Sequence, residues 1–116
     1  MNDNTQENKQ TDDVFVLIEM YYPKEDRLED LIDIAKASAN MVQGQPGLIQ
    51  TKVLRPKSAK GPISNITIWN SQSEFQQFMK SAEVKALLKS ETMSNVLAWS
   101  IDVQTMMFSQ EAGWAI

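Results

Sequence analysis

The sequence predicts an α+β fold: a ferredoxin-like β-α-β-β-α-β chain whose four strands form one antiparallel sheet. Three observations carry this. Segments with a period of two alternate with segments whose apolar residues recur at intervals of three and four. Short turns such as Gln45-Pro46-Gly47 separate them. Their order along 116 residues is that of the split β-α-β arrangement. A chain of this length makes one domain with a small but workable core.

Taken in order, residues 1–13 hold no apolar side chain after Met1 and no period. Such a segment buries too little surface to offset its ordering entropy, and a disordered tail is expected, with a single domain over 14–116. Val14 to Tyr22 is the first strand, apolar on both faces, and Pro23 ends its ladder. Asp26 and Glu29 stand at capping-box spacing before a helix whose buried stripe is Leu28, Leu31, Ile32, Ala35, Ala39 and Val42. Gly44 closes that helix and Pro46-Gly47 turns the chain into a second strand, Leu48 to Arg55. Lys57 to Pro62 is a loose connection. With Lys52 and Arg55 it gathers basic residues that suit a solvated hairpin tip better than an anion site.

The segment from Ile63 to Met79 is the most informative. Ile66 and Ile68 fall on one strand face, Asn65, Thr67 and Trp69 on the other. A two-residue corner follows, with Ser71 and Glu74 as a second capping box and Phe75, Phe78 and Met79 at helical spacing. Ser81 then caps another helical segment with Val84, Leu87 and Leu88 inward. Residues 91–97 fit a frayed helix or a loop. Trp99 to Phe108 is the last strand, with Trp99, Ile101, Val103, Thr105 and Met107 on one face. The apolar end Gly113-Trp114-Ala-Ile is expected to dock against something.

Helices of such a fold cover one face of the sheet. The first strand is apolar on both, so the second face needs cover too. Two sheets packed face to face supply it, which predicts a homodimer.

Composition removes many functions. The acidic excess sits in residues 1–13, where Asp3, Glu7, Asp12 and Asp13 face only Lys9, and the rest is nearly neutral with no basic stripe. Nucleic acid is therefore not the expected partner. The chain has no histidine and no cysteine. That excludes imidazole–thiolate zinc sites, Cys or His nucleophile dyads, iron–sulfur clusters, disulfides and any Ser-His-Asp triad. No apolar run approaches a membrane span, no apolar leader opens the chain, and the lack of cysteine fits a cytoplasmic protein. Acid–base chemistry is left to Asp, Glu, Lys, Tyr or the substrate.

The strand, Trp69 and capped helix of residues 63–79 resemble the corresponding segment of the antibiotic biosynthesis monooxygenase family of dimeric α+β barrels. The Pro46-Gly47-Leu48 turn and the Ser81-Ala-Glu83-Val84-Lys-Ala-Leu87 helix start add to the likeness, which spans about residues 14–108. The resemblance implies a dimeric barrel binding a small molecule. Family members include monooxygenases that need no cofactor and oxidise electron-rich aromatic polyketides, and haem-degrading enzymes. Both keep a tryptophan where Trp69 stands, and both commonly carry an asparagine on the first strand, near which this chain has Ile18. Haem degraders hold iron through a histidine on the helix after the tryptophan, where this chain has Phe78 and Met79.

The expected function is thus monooxygenation of a small aromatic or polyketide-like molecule without a cofactor. The alternative is a dimeric module that binds a small molecule or regulates without catalysis. Trp69 and Glu19 are the candidate catalytic residues: an aromatic pocket wall, and a carboxylate in an apolar strand whose burial would raise its pKa. Asn65, Thr67 and Tyr21 are the candidate substrate contacts. Each has a plainer role open to it: core packing for Trp69, an exposed or paired position for Glu19, strand surface for Asn65 and Thr67, an amphipathic rim for Tyr21 and Tyr22.

Overall fold

A computed structural model describes residues 13–113. The expected tail, apart from Asp13, and the terminal Trp114-Ala-Ile lie outside these. The elements run β1 (Phe15–Pro23), α1 (Leu28–Met41), β2 (Leu48–Leu54), β3 (Ile63–Trp69), α2 (Gln72–Met79), α3 (Ala82–Leu88), α4 (Glu91–Trp99) and β4 (Ser100–Ser109). The sheet order is β2-β3-β1-β4, antiparallel throughout. This is the expected ferredoxin-like arrangement, with the second crossover built from three short helices.

Those three helices have a common local cause. Ser71, Ser81 and Ser90 each accept a backbone N–H from three residues on, from Glu74 (3.2 Å), Val84 (3.3 Å) and Met93 (3.3 Å). Each serine restarts the helix after a break, contributing about 1 kcal/mol. The Ser90 cap makes residues 91–99 a helix, and Trp99 becomes its last residue rather than the first of β4. The Trp99 ring lies 4.5 Å beneath the Arg27 guanidinium. Leu88, expected inward, is 52% exposed, because α3 spends its short length on its helical neighbours with Val84 as its buried contact.

The proposed Asp26–Glu29 capping box does not form. Asp26 takes a left-handed conformation (φ 65°) to complete the turn closed by Arg27 N–H on the Lys24 carbonyl (3.0 Å). Arg27 occupies the cap position without a side-chain bond there and pairs with Asp30 instead (2.9 Å). Glu29 is drawn to Arg55 across the fold (3.0 Å), which uses up one cation of the basic hairpin.

The core is in two parts. At one end of the sheet, Ile63 packs beneath Leu31, Ile32 and Ala35 of α1 and Val96 of α4. At the other, Phe15, Leu17 and Trp69 pack beneath Phe75 of α2. The Trp69 corner is pinned by the Asn70 N–H, which donates to the Gly47 carbonyl (2.7 Å). Gly47 has φ +85°, and a Cβ there would collide with the Glu74 side chain, so only glycine lets the β2 entry approach this corner. On the uncovered sheet face, Val16, Ile18 and Met20 of β1 register with Ile68, Ile66 and Ser64 of β3 and remain half-buried. Among the described residues no helix is long and apolar enough to cross a membrane.

Candidate functional site

Between the two core clusters the covered face of the sheet turns polar. Strand register dictates this. Glu19 on β1 lies opposite Asn65 on β3 and Thr105 on β4, and one row along Leu17 lies opposite Thr67, itself opposite Thr51 on β2. Side chains too polar to join either cluster hold the helices off the sheet here. The result is a cavity of about 280 Å³. Its floor carries Glu19, Tyr21, Thr51, Asn65, Thr67 and Trp69, and its roof is apolar, with Phe78, Met79, Leu87 and Leu88. All five residues singled out from the sequence meet around this one cavity.

Trp69 serves as core and wall at once. It is 1% exposed, with its ring 5.3 Å from Phe78 and edge-on to Phe75 at 5.7 Å. Burying an indole of this size stabilises the fold by about 4–6 kcal/mol before ordering costs. Its Nε1–H donates to Thr67 Oγ1 (3.1 Å), so the ring presents only carbon surface to the cavity. Thr67 therefore orients the tryptophan from the same strand face and keeps its own hydroxyl hydrogen free.

Asn65 is 7% exposed, and its Oδ1 has no protein partner. Thr51 Oγ1 is likewise buried and unpartnered. Buried polar atoms are nearly always satisfied, since leaving one orphaned costs about 1–3 kcal/mol. Two on one cavity floor mark a place prepared for a polar occupant. Ser100 Oγ is a third such atom, but it begins β4 and does not line the cavity.

Glu19 is neither exposed nor salt-bridged. Burial raises its carboxyl pKa, and the nearby Tyr21 hydroxyl offsets part of the rise. The Tyr21 phenol is also pushed well up, by burial first and then by the negative charge and acceptor oxygens of Glu19, with the Asn65 side chain partly opposing. Tyr21 thus stands inside the cavity, not on a rim. Ile18, expected near the family's first-strand asparagine, alternates to the opposite sheet face, and Glu19 is the β1 residue that faces Asn65.

Sequence reasoning missed Thr51, Thr105 and the methionines Met41, Met93 and Met107 around the cavity. Period-two alternation groups Thr51 with Val53, but only the β2–β3 register brings Thr51 to Thr67. A larger open cleft of about 690 Å³ lies where β1 leaves the sheet, lined by Lys24, Asp26, Lys60 and Asp102 among others. Those charges are exposed and no orphaned polar atom faces the cleft, so it has less claim to be the site. No group of three or more Asp or Glu suited to a metal ion occurs among the described residues.

The sequence model of antibiotic biosynthesis monooxygenases matches residues 13–90. No curated protein matches the chain in sequence. Among solved structures, SnoaB, a cofactor-independent oxygenase from Streptomyces nogalater, aligns in a mutant form with a TM-score of 0.68 at 14% identity, over 88% of this chain and 96% of that one. MhuD from Mycobacterium tuberculosis, a haem degrader with two haems in its active site, aligns with a TM-score of 0.69 at 17% identity, over 87% and 99%. Protein SO0527 from Shewanella oneidensis aligns with a TM-score of 0.70 at 11% identity, over 85% and 92%. At these identities the likeness is one of fold. A haem does not fit the residues here: the chain offers neither imidazole nor thiolate to the iron, and Phe78 and Met79 fill the roof beside Trp69.

Proposed function

The chain belongs to the antibiotic biosynthesis monooxygenase family, and on that footing we propose that it is a cofactor-independent monooxygenase acting on a small aromatic or polyketide-like molecule. The observation that carries the reading is Glu19 facing Asn65 across paired strands, in a cavity walled by Trp69. The substrate is a phenolic compound with an oxidisable ring carbon. Its hydroxyl donates to Asn65 Oδ1, and its ring lies against Trp69 and Phe78. Glu19 accepts the proton that the oxidisable ring carbon of the keto tautomer loses, so the hydroxyl held by Asn65 stays protonated. The raised pKa of Glu19 brings it closer to that of the substrate, which is the condition for an effective base.

The electron-rich anion then passes one electron to dioxygen. The resulting radical and superoxide combine at the ring carbon as a peroxide. Loss of water leaves a carbonyl, so a CH₂ centre (or its enol tautomer) and one O₂ become C=O and H₂O, with all four electrons supplied by the substrate. The protein's part is to hold the anion, exclude water and move one proton.

A second copy of the chain belongs to this reading, laid against the uncovered sheet face, as does a cytoplasmic setting, which rests on the cysteine-free composition. The alternative, a non-catalytic binding module, draws support from the commitment of the Trp69 N–H to Thr67, which suits a purely structural tryptophan. Oxygen-electrode measurements with a panel of one- to four-ring phenols separate the two. Consumption that depends on substrate, lost in Glu19→Gln, with ¹⁸O from ¹⁸O₂ in the product, supports the enzyme. Binding without oxygen consumption supports the module.

A further inference from the structure

The two orphaned atoms of the cavity floor have a geometry that restricts what can satisfy them. Thr51 lies opposite Thr67, and Asn65 is two residues from Thr67 on the same strand, so the two are diagonal neighbours across β2 and β3, about 7 Å apart. Thr67 between them accepts from Trp69, and no described side chain bonds either orphaned atom. Asn65 Oδ1 can only accept, and it needs an O–H or N–H. Thr51 Oγ1 can donate or accept. The surface above them is carbon, from Phe78, Leu87 and Leu88.

Size adds a further limit. A cavity of about 150 Å³ takes one benzene ring. The 280 Å³ here accommodates on the order of two fused rings, and at its mouth, where Met79, Leu88 and Met107 are exposed, any further ring would lie outside the buried floor.

Resting on the reading of this cavity as the ligand site, we infer that Thr51 is a specificity-determining residue. Together with Asn65 it forms a two-point anchor for a one- or two-ring aromatic carrying two oxygens on opposite edges of one ring. One is a hydroxyl directed to Asn65, the other a hydroxyl or carbonyl directed to Thr51. A group held in reserve for a ligand leaves a mark of its own: in the free protein Thr51 Oγ1 is buried without reward, so removing it should not weaken the fold.

The test is anaerobic calorimetric titration of the full chain with naphthalene-1,4-diol, 1-naphthol, naphthalene and tetracene-5,12-diol, on the native protein and on Thr51→Val and Thr51→Ser. The native protein is expected to bind the diol about tenfold more tightly than 1-naphthol, one hydrogen bond's difference, and the four-ring diol no more tightly than the two-ring one. Thr51→Val should bring diol affinity down to that of 1-naphthol, leave 1-naphthol unchanged, and melt no lower than the native protein. Thr51→Ser should restore diol binding. Undiminished diol affinity in Thr51→Val, a lowered melting point with unchanged affinity, or tighter binding of the four-ring diol than of the two-ring one would each overturn the inference while leaving the cavity as a ligand site. Failure of every probe to bind the native protein would overturn both. Binding that depends on Thr51 with no oxygen consumed on admitting air would uphold the anchor and reject the oxygenase.

Discussion

The indole N–H of Trp69 donates to the hydroxyl of Thr67, two residues back on the same strand face, 3.1 Å away and out of reach of solvent. A strand that ends on a buried tryptophan must find a partner for that N–H, and the period of two supplies one from within the strand. The corner into α2 is thereby fixed before any helix residue contributes.

Thr67→Val removes the acceptor and keeps the shape, so the buried N–H is left unpaired. The expected loss is about 1–3 kcal/mol in urea unfolding. In a Trp69→Phe background, where no N–H remains, the same substitution should cost less than half as much. Equal losses in both backgrounds would show that the bond contributes nothing to stability.

The uncovered sheet face gives a prediction about assembly. Ile18 and Ile66 are register partners at its centre, flanked by Met106 on β4. An apolar strip across three strands is expected to be covered by its counterpart in a second chain. Sedimentation equilibrium at micromolar concentration should return about twice the 13.1 kDa chain mass, and Ile18→Arg should return the single mass, because two guanidinium groups would then be buried face to face. A native protein sedimenting at the single mass would remove the dimer from the proposed function.

Much of this architecture was legible in the residues, for reasons that also explain what was not. Alternation along β3 assigned Asn65, Thr67 and Trp69 to one face, because side-chain direction in a strand is local. Ser71 and Ser81 announced helix starts for the same reason. Thr51 remained hidden because its role depends on which β3 residue it meets, a register set by the Gly47 turn and an irregularity between Leu48 and Gln50. Asp26 misled because a good capping residue is also one of the few that tolerates a left-handed turn, and the chain needed the turn. Ser90 was the signal available for α4. Like Ser71 and Ser81, it stands three residues before the backbone N–H it caps, here that of Met93.

Glu19 makes both stability and activity depend on pH. Its folded-state pKa is raised above the ordinary 4.5, chiefly by burial. Between those two values the folded protein holds a proton that the unfolded chain has released, so stability falls as pH rises through that window. Below 4.5 the penalty is absent, and above the folded-state pKa it is present in full. Glu19→Gln carries no charge to bury. Urea unfolding across pH 4–8 should therefore show the native protein losing stability relative to the variant as pH rises, with the gap constant once Glu19 is ionised. Activity should run the other way. Substrate-dependent oxygen consumption by the native protein should increase over the same window, because only the carboxylate can accept a proton. If the two unfolding profiles stay parallel, Glu19 is not desolvated in the free protein. If the stability gap appears but oxygen consumption is indifferent to pH, the buried carboxylate is not the base.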